Sequence, residues 1–236
     1  MDVRRPRVVL IPGFTQTAAS WRDVQRVLEP SCEVVALDVP ERESFDATAI
    51  SVGIEGGRAV YVGYSMGGRI ALRLALERPE LVRALVLVSA TAGIVDASER
   101  TARVESDEAL AQSLERDGVD TFLERWLAQP MFATVPPDAP GLHERHALSA
   151  GYLAHCLRVL GAGAIEPMWD RLGELAVPLA LVTGRSDAKY ESLALMMLER
   201  LATGAVHLRL DGGHALPLEQ PEALGAFIAA FAAEHG

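Results

Sequence analysis

Short apolar segments alternate along this chain with longer segments whose apolar residues recur at helical spacing. The short segments are rich in β-branched residues and are bounded by glycine, proline or polar residues, a pattern that predicts strands. These predicted strands are 7–11, 33–39, 59–64, 84–89, 178–183 and 206–210. The helical patterns are 21–28, 70–76, 193–201 and 221–233. Strands that alternate with helices predict an α/β fold, with a doubly wound, mostly parallel sheet between two layers of helices.

One long interval interrupts this alternation. Between residues 89 and 178 the pattern is helical, at 106–116, 119–127 and 142–160, and is punctuated by proline and glycine at 136–137 and 140–141. We therefore predict a core made of residues 1–90 and 177–236, with a helical insertion at 91–176. Sites in α/β sheets lie at the carboxyl ends of the strands. The insertion follows a strand, so we expect it to form a lid over that edge.

The segment 59–69 carries the most informative motif. It reads Ala-Val-Tyr-Val-Gly-Tyr-Ser-Met-Gly-Gly-Arg, and a helical pattern follows it. A Gly-x-Ser-x-Gly turn between a strand and a helix is the setting of the nucleophile elbow of the α/β-hydrolase fold. This context predicts that Ser65 is a catalytic serine. The alternative is a glycine-rich turn with an idle serine.

A serine hydroxyl needs an imidazole to take its proton and a carboxylate to orient that imidazole. In this fold the chain order is serine, acid, histidine. Asp187 follows the predicted strand 178–183, and His214 follows the strand 206–210. Both therefore emerge at the sheet edge that holds Ser65, with Asp211 as a competing acid. The other histidines are terminal, within a strand or in the insertion: His235, His207, His143, His146 and His155.

An oxyanion hole requires two backbone amides that point to the place where negative charge develops. Met66, which follows the serine, is expected to supply one amide. The loop after the first strand is expected to supply the other from Phe14, because Pro12 has no amide proton and Gly13 permits close approach. Taken alone, that loop is equally compatible with an ordinary strand-to-helix connection.

Composition narrows the classes of partner. A formal net charge of −10 makes nucleic acid and anionic membrane surfaces poor partners. Cys32 and Cys156 have neither a metal-ligand spacing nor a disulfide framework, which favours a reducing compartment. The chain shows no leader pattern and no apolar run of membrane-spanning length. We expect a soluble cytoplasmic protein without metal or cofactor, either a monomer or a homo-oligomer.

The ordered motifs resemble those of the α/β-hydrolase superfamily: Pro-Gly-Phe-Thr-Gln, Gly-Tyr-Ser-Met-Gly-Gly-Arg, Gly-Arg-Ser-Asp-Ala-Lys-Tyr and Gly-Gly-His. From about residue 8 to 230, the chain most resembles the 2-succinyl-6-hydroxy-2,4-cyclohexadiene-1-carboxylate synthases of menaquinone biosynthesis. The more particular similarities are Arg69, Trp126, the sequence Asp-Ala-Lys-Tyr that contains Lys189, and the segment 153–163.

This resemblance implies a lyase reaction. In those synthases the triad serine acts as a base that removes a proton from a cyclohexene carboxylate, and pyruvate is eliminated. The substrate is a small molecule with several carboxylates, which planar guanidinium groups bind in a bidentate manner. The residues that the resemblance assigns to substrate binding are Arg69, Arg103 and Arg145 as carboxylate clamps, Tyr64 and Trp126 beside the ring, and Lys189.

Two segments depart from the family pattern. Pro12 stands where the family usually has histidine, and residues 37–44 replace a glycine-rich turn. These departures leave the triad intact and change the surroundings of the pocket. Two other functions therefore remain open: a serine hydrolase acting on small esters, thioesters or a carbon–carbon bond, and a non-catalytic ligand receptor.

Overall fold

The computed structural model describes residues 5–202 and 204–236 and contains a six-stranded sheet whose neighbouring strands all run parallel. The strands are β1 (Arg7–Ile11), β2 (Glu33–Ala36), β3 (Ala59–Tyr64), β4 (Val82–Val88), β5 (Leu179–Gly184) and β6 (Val206–Leu210). Their order across the sheet is β2-β1-β3-β4-β5-β6. The catalytic candidates follow β3, β5 and β6, so all three reach the same carboxyl edge.

Helices cover both faces of the sheet. They are α1 (Arg22–Leu28), α2 (Phe45–Gly56), α3 (Met66–Glu77), α4 (Ala97–Asp117), α5 (Val119–Leu127), α6 (Ala150–Leu160), α7 (Ala188–Leu198), α8 (Leu216–Glu219) and α9 (Pro221–His235). Helices α2, α3 and α7 pack on one face, and α1, α8 and α9 pack on the other. This arrangement confirms the predicted doubly wound α/β-hydrolase fold. Within the described ranges, no helix has both the length and the apolar character needed to cross a membrane.

The strands are apolar because both of their faces are covered. In β1, Val9 and Ile11 belong to the core under α3, whereas Val8 and Leu10 belong to the core under α1 and α9. All four side chains are fully buried. A parallel sheet buried on two faces reads as a continuous apolar run rather than as an alternating one. This is the pattern that made the strands recognisable in the sequence.

Helix α2 was not among the predicted elements. Ser44 caps its first turn by accepting a hydrogen bond from the Ala47 amide at 3.1 Å. Its buried face includes Gly53, and a Cβ atom there would overlap the Leu74 side chain of α3. Because small residues form this face, the two helices approach closely while the apolar periodicity in the sequence stays weak.

Several predicted boundaries also shift. Strand β2 ends at Ala36 rather than at residue 39, and β4 begins two residues earlier than predicted. The predicted helix 142–160 divides into a short 3-10 helix, Glu144–Ala147, and α6, which Ser149 caps. The helix predicted at 106–116 extends over all of α4, whose first turn is capped by Asp96.

The segment predicted as a helical insertion lies between β4 and β5 and contains α4, α5 and α6. These helices share a core that includes Leu114, Phe122, Leu153 and Leu157. The insertion also contacts the loop after β2, where the Tyr152 hydroxyl of α6 donates a 2.8 Å hydrogen bond to the carbonyl of Val39. The insertion therefore has its own apolar core and is held against the carboxyl edge of the sheet.

Candidate active site

Ser65 lies in a strained turn between β3 and α3. Its φ of 52° and ψ of −109° are sparsely populated by residues that have a side chain. The turn is possible because its neighbours lack Cβ atoms: one on Gly67 would lie 2.6 Å from the carbonyl oxygen of Pro12, and one on Gly63 would overlap the Gly67 backbone. The turn places the Ser65 hydroxyl at the sheet edge, beside the N-terminus of α3.

The structure brings Ser65, His214 and Asp187 into one hydrogen-bonded chain. His214 Nε2 lies 3.2 Å from Ser65 Oγ, and His214 Nδ1 lies 2.7 Å from Asp187 Oδ2. The loops that carry the acid and the histidine are joined directly, since the amide of Ser186 donates to the carbonyl of Gly212 at 3.0 Å. His214 is only 2 % exposed. The arrangement has the geometry of a base positioned between a hydroxyl and an orienting carboxylate.

The competing acid has a different partner. Asp211 is exposed, and its Oδ1 lies 2.8 Å from the guanidinium Nε of Arg185. Asp187 is therefore the carboxylate that hydrogen-bonds His214, whereas Asp211 pairs with Arg185 at the surface.

Phe14 and Met66, the residues expected to supply the oxyanion amides, lie on different elements in the wall of the cavity that holds Ser65. Met66 is the first residue of α3, so its N–H has no acceptor within the helix. Phe14 follows β1 in the neighbouring loop, and its amide donates to no other backbone group among the described residues. Both residues line the cavity above Ser65. These positions are compatible with the predicted oxyanion hole.

A cavity of about 430 Å³ opens between the sheet edge and the helical insertion. This volume is typical of sites for small molecules. Most of the residues that the sequence predicted for the site share its wall: Ser65, Asp187, His214, Phe14, Met66, Tyr64, Arg69, Arg103, Trp126 and Lys189.

The cationic part of the wall is formed by Arg69, Arg103 and Lys189. Arg69 is only 6 % exposed, and burial lowers its pKa to about 10. One of its Nη atoms donates to the Leu160 carbonyl at 2.8 Å, which fixes the side chain against α6. Its Nε has no partner among the described residues. Buried guanidinium groups with unused donors favour an anionic ligand.

Asp107 faces the same cavity and was not singled out from the sequence. Both of its carboxylate oxygens lie 2.9 Å from Arg103 Nε, one helical turn away. The carboxylate is almost fully buried, and this burial raises its pKa, with the charge of Arg103 opposing the rise. Asp107 thus occupies the Nε edge of Arg103 and leaves the Nη edge for a ligand.

Aromatic side chains complete the cavity. Trp126 packs edge-to-face against Phe14, with ring centroids 5.1 Å apart, and ties the insertion to the loop after β1. Tyr190, which the sequence analysis did not assign, stacks at a tilt on His214 with centroids 4.4 Å apart. Burial raises the pKa of Tyr190, and the nearby charges of Arg69 and Arg103 oppose the rise. The sequence feature that could have identified Tyr190 is the Asp-Ala-Lys-Tyr motif, of which Tyr190 is the last residue.

Arg145 does not line this cavity. Arg145 belongs to the helical insertion and is 1 % exposed, and it lies near Tyr64 of β3. Burial lowers its pKa to about 10, while Tyr64 opposes that shift. Tyr64 itself is buried, which raises its pKa well above the usual value. Arg145 therefore lies near Tyr64, a residue of the cavity wall, but unlike the other two predicted arginine clamps it is not part of that wall itself.

Comparisons with known proteins agree with this fold. The model of an alpha/beta hydrolase family matches residues 8–227. A 2-succinyl-6-hydroxy-2,4-cyclohexadiene-1-carboxylate synthase of Serratia proteamaculans is 28% identical over 100% of this chain and 96% of its own length. The synthase of the same name from an Enterobacter species is 26% identical over 95% of this chain and 90% of its own. The structure of MenH from S. aureus superposes with a TM-score of 0.90 at 23% identity, over 99% of this chain and 96% of that one. The chain belongs to the alpha/beta hydrolase family.

Proposed function

We propose that this protein is a 2-succinyl-6-hydroxy-2,4-cyclohexadiene-1-carboxylate synthase, which eliminates pyruvate from a succinyl-cyclohexene carboxylate. The observation that carries the proposal is the combination of a Ser65–His214–Asp187 chain with Arg69, Arg103 and Lys189 in one cavity. An ordinary ester substrate does not require three cations beside the triad. A substrate with several carboxylates does.

In the proposed reaction Ser65 acts as a base. Its Oγ removes a proton from a ring carbon while His214 Nε2 takes the proton of the hydroxyl, and Asp187 stabilises the imidazolium. The electron pair of the broken C–H bond forms a new ring double bond. The bond between the ring carbon and the oxygen of the three-carbon group breaks, and its electron pair leaves on that oxygen as the enolate of pyruvate. The proton on His214 then returns to the leaving group, which departs as pyruvate. The amides of Phe14 and Met66 stabilise the negative charge that develops during proton removal.

The cations have a separate role in binding. The Nη edge of Arg103 matches the geometry of a carboxylate, and Arg69 adds a second, buried positive charge to the same wall. Trp126 and Tyr64 supply the apolar surface for the ring. The helical insertion serves as the lid, and Arg145 places a buried positive charge near Tyr64. The two free, buried cysteines suit a cytoplasmic location.

A serine hydrolase is the second candidate, favoured by the strained elbow at Ser65 and by the presence of Phe14 and Met66 in the same cavity wall. The same hydroxyl could attack an ester carbonyl and form an acyl-enzyme.

The deciding experiment measures pyruvate release from the succinyl-cyclohexene substrate beside hydrolysis of a short acyl ester. Rapid pyruvate release with slow ester hydrolysis is expected, and the Ser65→Ala variant should lose both. Rapid ester hydrolysis without pyruvate release would support the hydrolase instead.

A further inference from the structure

Glu219 holds the loop that carries His214 and lies outside the catalytic cavity. It is the last residue of α8, the short helix that follows His214. Its carboxylate accepts hydrogen bonds from two backbone amides, that of Ala215 at 2.8 Å and that of Gly213. These amides belong to the residues immediately before and after His214. One side chain thus fixes the backbone on both sides of the imidazole.

The same carboxylate also accepts a hydrogen bond from the helical insertion. The hydroxyl of Thr134 donates to Glu219 Oε2 at 2.8 Å, across a separation of 85 residues. The site is closely packed, because a Cβ atom on Gly213 would lie 2.8 Å from Thr134 Oγ1 and 3.3 Å from both carboxylate oxygens of Glu219. The glycine before His214 therefore provides the space in which Thr134 and Glu219 meet.

This network has a direct consequence for the triad. His214 must satisfy Asp187 and Ser65 at once, and the 3.2 Å distance to Ser65 Oγ is already at the long end for a hydrogen bond. A small rotation of the His214 backbone would lengthen it further. Charged acceptors bind amides more strongly than neutral ones. A carboxylate that binds both flanking amides is therefore well suited to hold the imidazole where it contacts both Asp187 and Ser65.

We propose that Glu219 is a positioning residue for His214, and that Thr134 joins the helical insertion to this same support. The inference rests on the proposed roles of Ser65 and His214 and names no new group in contact with substrate. It requires that loss of the carboxylate weakens the activation of Ser65 without weakening substrate binding.

The test compares Glu219→Gln and Glu219→Ala with wild type, using Glu222→Gln as the matched control. Glu222 is exposed in the first turn of α9. The first measurement is the rate at which a fluorophosphonate labels Ser65, because labelling reports activation of the hydroxyl whatever the natural substrate is. The second is kcat and KM for pyruvate release. Thermal unfolding of each variant establishes that the assays are made on folded protein.

Glu219→Gln keeps the shape of the side chain but leaves one amide without an acceptor. We expect labelling and kcat to fall about 10-fold in this variant and about 100-fold in Glu219→Ala, with KM changed less than about twofold. Glu222→Gln should behave as wild type. Thr134→Val should give a smaller fall than Glu219→Ala, because both amide hydrogen bonds remain.

Unchanged labelling in folded Glu219→Gln and Glu219→Ala would overturn the inference. So would an equal loss in Glu222→Gln, or a rise in KM with kcat preserved. Failure of the proposed function is distinguishable, because wild type would then release no pyruvate while Ser65 labelling still depended on Glu219.

Discussion

Arg103 and Asp107 form an ion pair within one turn of α4 in the cavity wall, and Asp107 contacts only the Nε edge of the guanidinium. The carboxylate is 4 % exposed, whereas the arginine side chain is 38 % exposed. This asymmetry gives the two residues different roles. Asp107 orients the arginine from the buried side, and the Nη edge of Arg103 remains available to a carboxylate of the substrate.

Arg103→Met should damage both substrate binding and stability. We expect KM for pyruvate release to rise about 10- to 100-fold because a charge-assisted, bidentate contact is lost. The free energy of unfolding should fall by about 2 kcal/mol because Asp107 is left buried and unpaired. Adding Asp107→Asn should recover much of the stability and leave KM high. Enzyme kinetics and urea unfolding measure the two effects.

The control for this prediction is Arg83→Met, which removes an exposed arginine near the opposite end of the sheet. This variant should change neither KM for pyruvate release nor the free energy of unfolding appreciably. If the double variant regained the wild-type KM, Arg103 would not be a substrate clamp.

Asp187→Asn should reduce kcat by about 1,000- to 10,000-fold, because the amide cannot stabilise the imidazolium and favours the wrong tautomer of His214. The fold should be preserved, since Asn has the same shape. Asp211→Asn is the matched control: that carboxylate is exposed and pairs with Arg185. A comparable fall in kcat in the two variants would show that the 2.7 Å contact with His214 does not make Asp187 the catalytic acid of the triad.

The sequence was sufficient for the sheet and for the triad because both depend on local signals. Strands β1, β3 and β6 have the bounds that the sequence pattern predicted, 7–11, 59–64 and 206–210. In a parallel sheet these strands must end at a common edge. The chain order of Ser65, Asp187 and His214 then placed the three residues together before any distance was known.

Other features depend on contacts that no local pattern encodes. The buried face of α2 includes Thr48, Gly53 and Gly56, which carry no apolar signal although they lie at helical spacing. Asp107 and Glu219 read as ordinary solvent-exposed charges until tertiary structure supplies Arg103 and the His214 loop. The resemblance nominated Arg145, but the tertiary structure leaves it buried and outside the cavity wall.

Gly67→Ala should disrupt the elbow. A Cβ atom would lie 2.6 Å from the Pro12 carbonyl oxygen and still closer to that of Ile11, so backbone rather than a flexible side chain must move. We expect a loss of more than about 2 kcal/mol in the free energy of unfolding, together with a strong fall in fluorophosphonate labelling of Ser65.

Gly151→Ala is the control, because its Cβ would meet nothing within 4 Å. In helix α6 that change should be neutral or stabilising by about 0.5 kcal/mol. Equal effects at the two glycines would contradict the steric argument.

His207 should make stability depend on pH through its position in β6. Its Nε2 lies 2.9 Å from Thr183 Oγ1, and burial lowers its pKa below the usual 6.5, with Arg209 lowering it further and Glu191 opposing. The unfolded chain therefore binds a proton at His207 more readily than the folded protein does, so stability should fall as the pH decreases through about 6.5. Urea unfolding midpoints at pH 7.5 and pH 5.5 measure this loss. His207→Gln cannot take up the proton, so the loss should be smaller in that variant. Equal losses in the two proteins would show that His207 does not contribute, and the pH dependence would then have to arise from other groups.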